Sequence, residues 1–208
     1  MPANRLVRPW SFMLIGCTFL MAAPFASANA PNLLISQIRS RGPGGANDDF
    51  VEIYNASWRT IDLTGLKVYH SGTSNVLMAT VGAVSLGSGC HYLLASSSYT
   101  ISTTPDQLLT SFNDTTSVGI VDASGTLDGV GFVNPTPPPV SFTEGTPLTD
   151  LSTDVDQAYE RKPGAAAGNW SDTNDNATDF TLIAPSTPRN SASACAKPDS
   201  VFDDSFDA

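Results

Sequence analysis

The chain has 208 residues, 10 of them basic and 20 acidic, for a formal net charge of −10. Charged residues make up only 14%, with 16 Gly and 15 Pro among abundant Ser and Thr, a profile that suits a turn-rich, all-β extracellular domain better than a helical cytosolic enzyme. The length allows one domain with a sizeable core plus short appendages, and the acidic balance disfavours nucleic acid as a partner, because such a surface repels a phosphate backbone.

Arg5 and Arg8 precede an apolar run from Trp10 to about Phe25, followed by Ala26-Ser27-Ala28. This is the order of a secretory signal, with cleavage expected after Ala28. Leu14-Ile15-Gly16-Cys17 also has the form of a lipoprotein box, against which the apolar residues Phe19, Leu20 and Met21 continue past the cysteine. Loss of residues 1–28 removes Arg5 and Arg8 and leaves 8 basic and 20 acidic residues, a net charge of −12. No other segment approaches the ~20 apolar residues that span a bilayer. The expectation is an exported chain without a transmembrane segment, secreted or held at the cell surface or in the periplasm. Cys17 leaves with the leader, and the remaining pair, Cys90 and Cys195, is expected to form a disulfide in an oxidising compartment. The chain divides into a leader (1–28), a domain (29–192) and an acidic C-terminal tail (193–208).

Residues 32–38 (Asn-Leu-Leu-Ile-Ser-Gln-Ile) predict a first strand, and Gly42, Pro43, Gly44 and Gly45 mark the loop after it. In the next strand, 50–55, Val51 and Ile53 face one side while Phe50, Glu52 and Tyr54 face the other. Its expected partner is 61–68, reached through a tight turn at Asn55, Ala56 and Ser57 and interrupted by Gly65. Further strands are predicted at 76–84 and 91–95. Thr104 as N-cap and Pro105 at the first helical position predict one helical turn over 105–109. A hairpin follows, 117–121 and 126–133 around Asp122 to Gly125. Pro135, Pro137, Pro138 and Pro139 then forbid regular pairing. Short strands at 158–162 and 179–183 complete about eight or nine, without a long amphipathic helix, which favours a β-sandwich.

Several of these segments together resemble the lamin-tail domain. The residues that carry the resemblance are Phe50-Val51-Glu52-Ile53-Tyr54-Asn55, Ile61-Asp62-Leu63-Thr64-Gly65, Tyr92-Leu93-Leu94, the hairpin at Asp122 to Gly125, and Tyr159-Glu160-Arg161-Lys162. Asp172 to Asn176, Asp179-Phe180 and Pro188-Arg189-Asn190 extend it over residues 31–190. One departure is Gln37, where the family commonly has Glu. The resemblance implies an immunoglobulin-like β-sandwich, found at the end of nuclear lamins and in many exported bacterial proteins, where it often accompanies nucleases or phosphatases. The run Val201-Phe202-Asp203-Asp204-Ser205-Phe206-Asp207 is similar to a short acidic-aromatic tail that ends exported proteins of some Gram-negative bacteria.

Candidate chemistry is sparse. Glu52 and Asp62 suggest an acid/base pair, yet both lie inside the strand motif and are expected to serve backbone hydrogen bonding. His70 and His91 lack acidic neighbours at metal-ligand spacing, and no Gly-x-Ser-x-Gly elbow is present. In the run 172–179, Asp172, Asn174 and Asn176 match the start of an EF-hand Ca²⁺ loop, and with Asp179 they are the candidate calcium ligands. Ala177 stands where an EF-hand needs Gly and Ile183 where it needs Glu, so ordering of the loop by side-chain bonds to backbone amides competes with calcium. The expected function is non-enzymatic: a binding, adhesion or structural role outside the cell toward an extracellular protein or glycan. The alternative is an exported metal-dependent enzyme or an accessory of a nuclease or phosphatase.

Overall fold

A computed structural model describes residues 33–138 and 141–196. The expected leader, Pro139 and the tail from residue 197 lie outside these residues. The described chain forms an all-β sandwich of two main sheets, with helix confined to single turns. In order the strands are β1 (Leu33–Arg39), β2 (Phe50–Asn55), β3 (Ile61–Asp62), β4 (Lys67–His70), β5 (Val76–Thr80) and β6 (Ser85–Leu86). They continue with β7 (His91–Ala95), β8 (Gln107–Leu108), β9 (Ser117–Asp122), β10 (Gly125–Gly131), β11 (Ala158–Arg161) and β12 (Phe180–Ile183). The larger sheet runs β12-β11-β1-β2-β7-β8, the smaller β10-β9-β4-β5, and β3 pairs only with β6. These are twelve strands rather than eight or nine, the surplus being the two-residue strands β3, β6 and β8.

The alternation in β2 holds. Val51 and Ile53 enter the core with Ile35, Ile38 and Leu94 from the larger sheet and Val68, Ile120 and Val130 from the smaller. Burying a side chain such as Ile53 contributes about 1.5–3 kcal/mol. Phe50 points to the opposite face and packs with Leu93, Ala95 and Ala158 in a second, smaller cluster.

Three local expectations are corrected. Residues 50–55 and 61–68 are not a hairpin: β2 pairs with β1 and β7, while 61–68 splits between β3 and β4, which belong to different sheets. The buried Asn55 amide donates to the Arg59 and Leu86 carbonyls (2.8 Å each), and Gly65 takes φ 81, so the chain turns out of the first sheet and crosses to the second. The helical turn expected over 105–109 is instead β8, parallel to β7. Asp106 N–H donates to the Leu93 carbonyl (2.9 Å) and Leu109 N–H to that of Ala95 (2.9 Å), so the open edge of β7 prevails over a local helix-start signal. Finally, Asn176–Asp179 is a helical turn (α1), and the last strand begins at Phe180.

The outer face of the larger sheet is covered by the C-terminal segment 184–196, a strap laid across the strands. Thr187 N–H donates to Gln37 Oε1 (3.2 Å), Arg189 N–H to Glu52, and Asn190 Nδ2 to the Thr104 carbonyl (2.9 Å). At its end Ala196 N–H bonds the Gly89 carbonyl (2.7 Å) and Tyr54 Oη donates to the Ala196 carbonyl (2.7 Å). The expected Cys90–Cys195 disulfide fastens the strap beside them. Residues 193–196, assigned from sequence to the tail, are thus joined to the sandwich. Among the described residues no helix is long and apolar enough to cross a membrane.

Candidate functional site

The run 172–179 is ordered mainly by its own side chains. Asp175 caps α1, its Oδ1 accepting from Thr178 N–H (2.9 Å), while Oδ2 accepts from Thr146 N–H (3.1 Å). Asn176 is buried. Its Oδ1 accepts from Gly131 N–H (2.9 Å) and its Nδ2 donates to the Gly129 carbonyl (2.9 Å), tying α1 to β10. Asp179, also buried, accepts from Thr173 N–H and Oγ1 (2.9 Å each). Asp172 Oδ1 accepts from Asn174 N–H (3.2 Å), and Asn174 itself takes φ 57.

Of the four candidate calcium ligands, Asn176 therefore turns toward β10. Asp172 and Asp179 both approach Nη1 of the fully buried Arg161, at 3.7 Å each, so the cation between those two carboxylates is a guanidinium of the chain itself. Arg161 is held further by Asp128 through Nη2 (2.8 and 2.7 Å), by the Ile35 carbonyl through Nε (2.8 Å), and by the Phe180 ring 4.6 Å away.

Asp172 instead meets two residues not singled out from sequence. Carboxylate oxygens of Asp128, Glu144 and Asp172 lie within 4.8 Å of one another. Burial, followed by the charges of Asp128 and Asp172, raises the Glu144 carboxyl to about 8, and Glu144 Oε2 is buried without a hydrogen-bond partner. At neutral pH Glu144 thus retains a proton, which eases the crowding of four carboxyls, those of Asp128, Glu144, Asp172 and Asp179, around one guanidinium. Asp128, Glu144 and Asp172 are also the residues that could hold a divalent cation in place of that proton.

A second charged centre lies under the strap. Glu52 is buried on β2; its Oε1 accepts from Ser36 Oγ (2.7 Å) and Arg189 Nη2 (3.1 Å), and its Oε2 accepts from the Arg189 backbone N–H. Arg189 Nη2 also reaches Glu160 Oε1 (3.1 Å) and Asn169 Oδ1 (2.7 Å), and Nη1 donates to the Ala165 carbonyl (2.9 Å). His91 packs on Tyr54 with ring centroids 4.9 Å apart, and its Nε2 lies 3.2 Å from Asn169 Oδ1. Burial, and then the nearby Arg189 charge, depresses the His91 pKa to about 3, so this imidazole stays neutral. Burial raises Glu52 although Arg189 opposes it.

Glu52 and Asp62 are not brought together. Asp62 is exposed and accepts from Thr64 N–H (2.9 Å), whereas Glu52 secures the strap. The structural weight of Arg161 and Arg189, which hold Asp128 and Glu52, escaped sequence reasoning. The only signal was the presence of both in the motif segments 159–162 and 188–190.

The same end of the sheet presents two tryptophans. Trp58 is 83% exposed in the loop after β2, and Trp170, 51% exposed, follows the Asn169 that bonds His91. The Trp58 loop is firmly built. Asn55 Oδ1 accepts from Ser57 N–H (2.9 Å), Ser57 Oγ lies 2.7 Å from Asn55 Oδ1 and 2.9 Å from the Arg59 carbonyl, its one proton going to either, and Ser88 Oγ donates to the Ser57 carbonyl (2.7 Å). The Arg59 guanidinium lies 5.2 Å from the Trp58 ring centroid.

Architecture and clamps together define a disulfide-linked all-β sandwich closed on one outer face by its own C-terminal strap. Its architecture is shared with a DUF4876 family protein from Bacteroides thetaiotaomicron, with a TM-score of 0.51 over 82% of this chain and 75% of the other, at 15% identity. At that identity the likeness establishes the fold alone. No family model matches the chain, and no curated protein sequence matches it.

Proposed function

We propose that the protein is an exported, non-enzymatic recognition module of the lamin-tail type that binds an extracellular protein or glycan. The observation that carries this reading is Trp58, a nearly fully exposed indole beside Arg59 on a loop fastened by Asn55, Ser57 and Ser88. Tryptophan and arginine are the side chains that most often dominate binding energy, and a prebuilt loop lowers the ordering cost of using them. The Cys90–Cys195 bridge supports an oxidising compartment, in line with the leader sequence. The test is retention of cell-surface proteins and polysaccharides by the mature chain and by Trp58→Ala. Loss of retention in a variant that melts like the parent supports the reading, and equal retention contradicts it.

A second reading, a metal-dependent enzyme or its accessory, draws on Asp128, Glu144 and Asp172. Calorimetry with Ca²⁺ and Mg²⁺, with assays on DNA and a generic phosphodiester, separates the two. Metal-dependent turnover lost in Glu144→Gln would favour the enzyme.

A further inference from the structure

Residues 29–32 lead into β1 at a cleft of about 420 Å³ whose wall includes Leu33, Leu66, Leu127, Asp62 and Asp122. We propose that the N-terminus of the mature chain, Asn29-Ala30-Pro31-Asn32, docks in this cleft with its α-ammonium against the acidic rim formed by Asp62 and Asp122. The inference rests on the export reading and on cleavage after Ala28.

Connectivity chooses the occupant. Leu33 is both the first residue of β1 and part of the cleft wall. Two residues on, Ile35 N–H donates to Asp128 Oδ2 (2.6 Å), so β1 enters the fold against β10. Leu127, the residue before that aspartate, belongs to the same wall. Four residues reach at most about 13 Å from Leu33, which keeps Asn29 in the neighbourhood of the cleft. Pro31 biases Ala30 toward extended backbone.

Charge then places the end of the segment. Asp62 Oδ1 accepts from Thr64 N–H (2.9 Å) and Oγ1 (2.5 Å), and Asp122 Oδ1 accepts from Ser124 N–H (2.7 Å) and Oγ (2.5 Å). These bonds lower both pKa values, so the two carboxylates stay ionised, and they engage one oxygen of each. Asp48, Asp114, Asp128 and Asp172 each have an arginine partner, whereas among the described residues no salt bridge reaches Asp62 or Asp122. Lys67, exposed beside Leu66 and paired across the strands with Val121, is the neighbouring cation, and behind Leu127 Asp128 is closed on Arg161. Residues 29–32 carry no charged side chain, so the α-ammonium is the only charge they bring. Before cleavage the same nitrogen is an uncharged amide joined to Ala28, so removal of the leader creates the contact.

The test compares three forms of the protein: the mature chain with Asn29 as its first residue, the same chain with Gly-Gly placed before Asn29, and Asp62→Asn/Asp122→Asn, which alters two exposed side chains. NMR follows the α-amino pKa and the NOEs from the Ala30 methyl to those of Leu66 and Leu127. The mature chain is expected to show these NOEs and an α-amino pKa at least about 0.5 above the ordinary range of about 7.7–8.0. The other two forms are expected to return to that range. An ordinary value in the mature chain, absent NOEs, or a raised value that persists in the Asp62→Asn/Asp122→Asn form would overturn the proposal. So would leucine methyl shifts that depend on protein concentration, which would report a second copy in the cleft. The intact mass of the protein recovered from the culture medium tests the export reading separately. A chain that keeps its leader removes that reading and this inference with it, whereas an ordinary α-amino pKa in the chain begun at Asn29 removes this inference alone.

Discussion

The two faces of the larger sheet are built on opposite principles. On the inner face Val51, Ile53, Ile35 and Leu94 meet the smaller sheet in an apolar core, where shape and volume decide the energy. On the outer face Gln37, Arg39, Glu52 and His91 are equally buried, beneath a strap whose backbone and Arg189 satisfy Glu52. An apolar face tolerates any neighbour of the right volume. A polar face must have its particular partners, because a buried charge without one costs several kcal/mol. The inner face therefore sets the sandwich, and the outer face fixes where residues 184–196 run.

The largest effect is expected at the strap's anchor. Cys195→Ser removes a bridge across a sequence separation of 105, for which chain entropy predicts about 4–5 kcal/mol. Denaturant unfolding checks this, and a loss below about 1 kcal/mol would mean that the strap holds without it. Next, Ile53→Ala is expected to cost about 2–5 kcal/mol by leaving a cavity, and Glu52→Ala about 1–3 kcal/mol by leaving the Arg189 backbone N–H without its acceptor while the guanidinium keeps Glu160. The two costs differ in their remedy: Glu52→Gln, which keeps an acceptor oxygen for that N–H, should recover much of the second, and no outer-face change should recover the first.

Protonation separates the faces further. His91 resists protonation down to about pH 3 when folded but takes a proton near 6.5 when unfolded, so stability is lost as pH falls from about 6.5 toward 3. Asp49, buried before β2 with Phe112 N–H on its Oδ2, is raised by burial to about 7 from 3.8, so the folded state keeps a proton that the unfolded chain releases. Its contribution is lost as pH rises through that window. Glu144, raised to about 8 from 4.5, acts in the same direction as Asp49, so melting temperature is expected to fall on both sides of an acidic optimum, with His91→Asn flattening the acid limb and Asp49→Asn and Glu144→Gln each flattening part of the other. The smallest effect belongs to the exposed loop: Trp58→Ala should shift stability by no more than about 0.5 kcal/mol while removing binding.

This division also explains what could be read from the chain. The inner face was legible because Val51 and Ile53 alternate with period two, and the disulfide because only Cys90 and Cys195 remain once the expected leader is set aside. β8 was not, since Thr104-Pro105 favours a helix start and only the distant edge of β7 makes residues 107–108 extended. In the run 172–179 the density of oxygens was plain, but their targets, β10 and Arg161, lie elsewhere in the fold. Paired arginines are the hardest to foresee: a charged residue reads as solvent-facing until its partners are known, and the buried Arg161 and its partner Asp128 stand 33 positions apart, Glu52 and the half-buried Arg189 137.

The clamp between Glu52 and Arg189 is the centre of the account, since it closes the outer face. A double-mutant cycle on Glu52→Leu and Arg189→Met measures it directly by chemical unfolding. A coupling of at least about 2 kcal/mol is predicted, with the double variant losing less than the singles together; additivity within about 0.5 kcal/mol would contradict it.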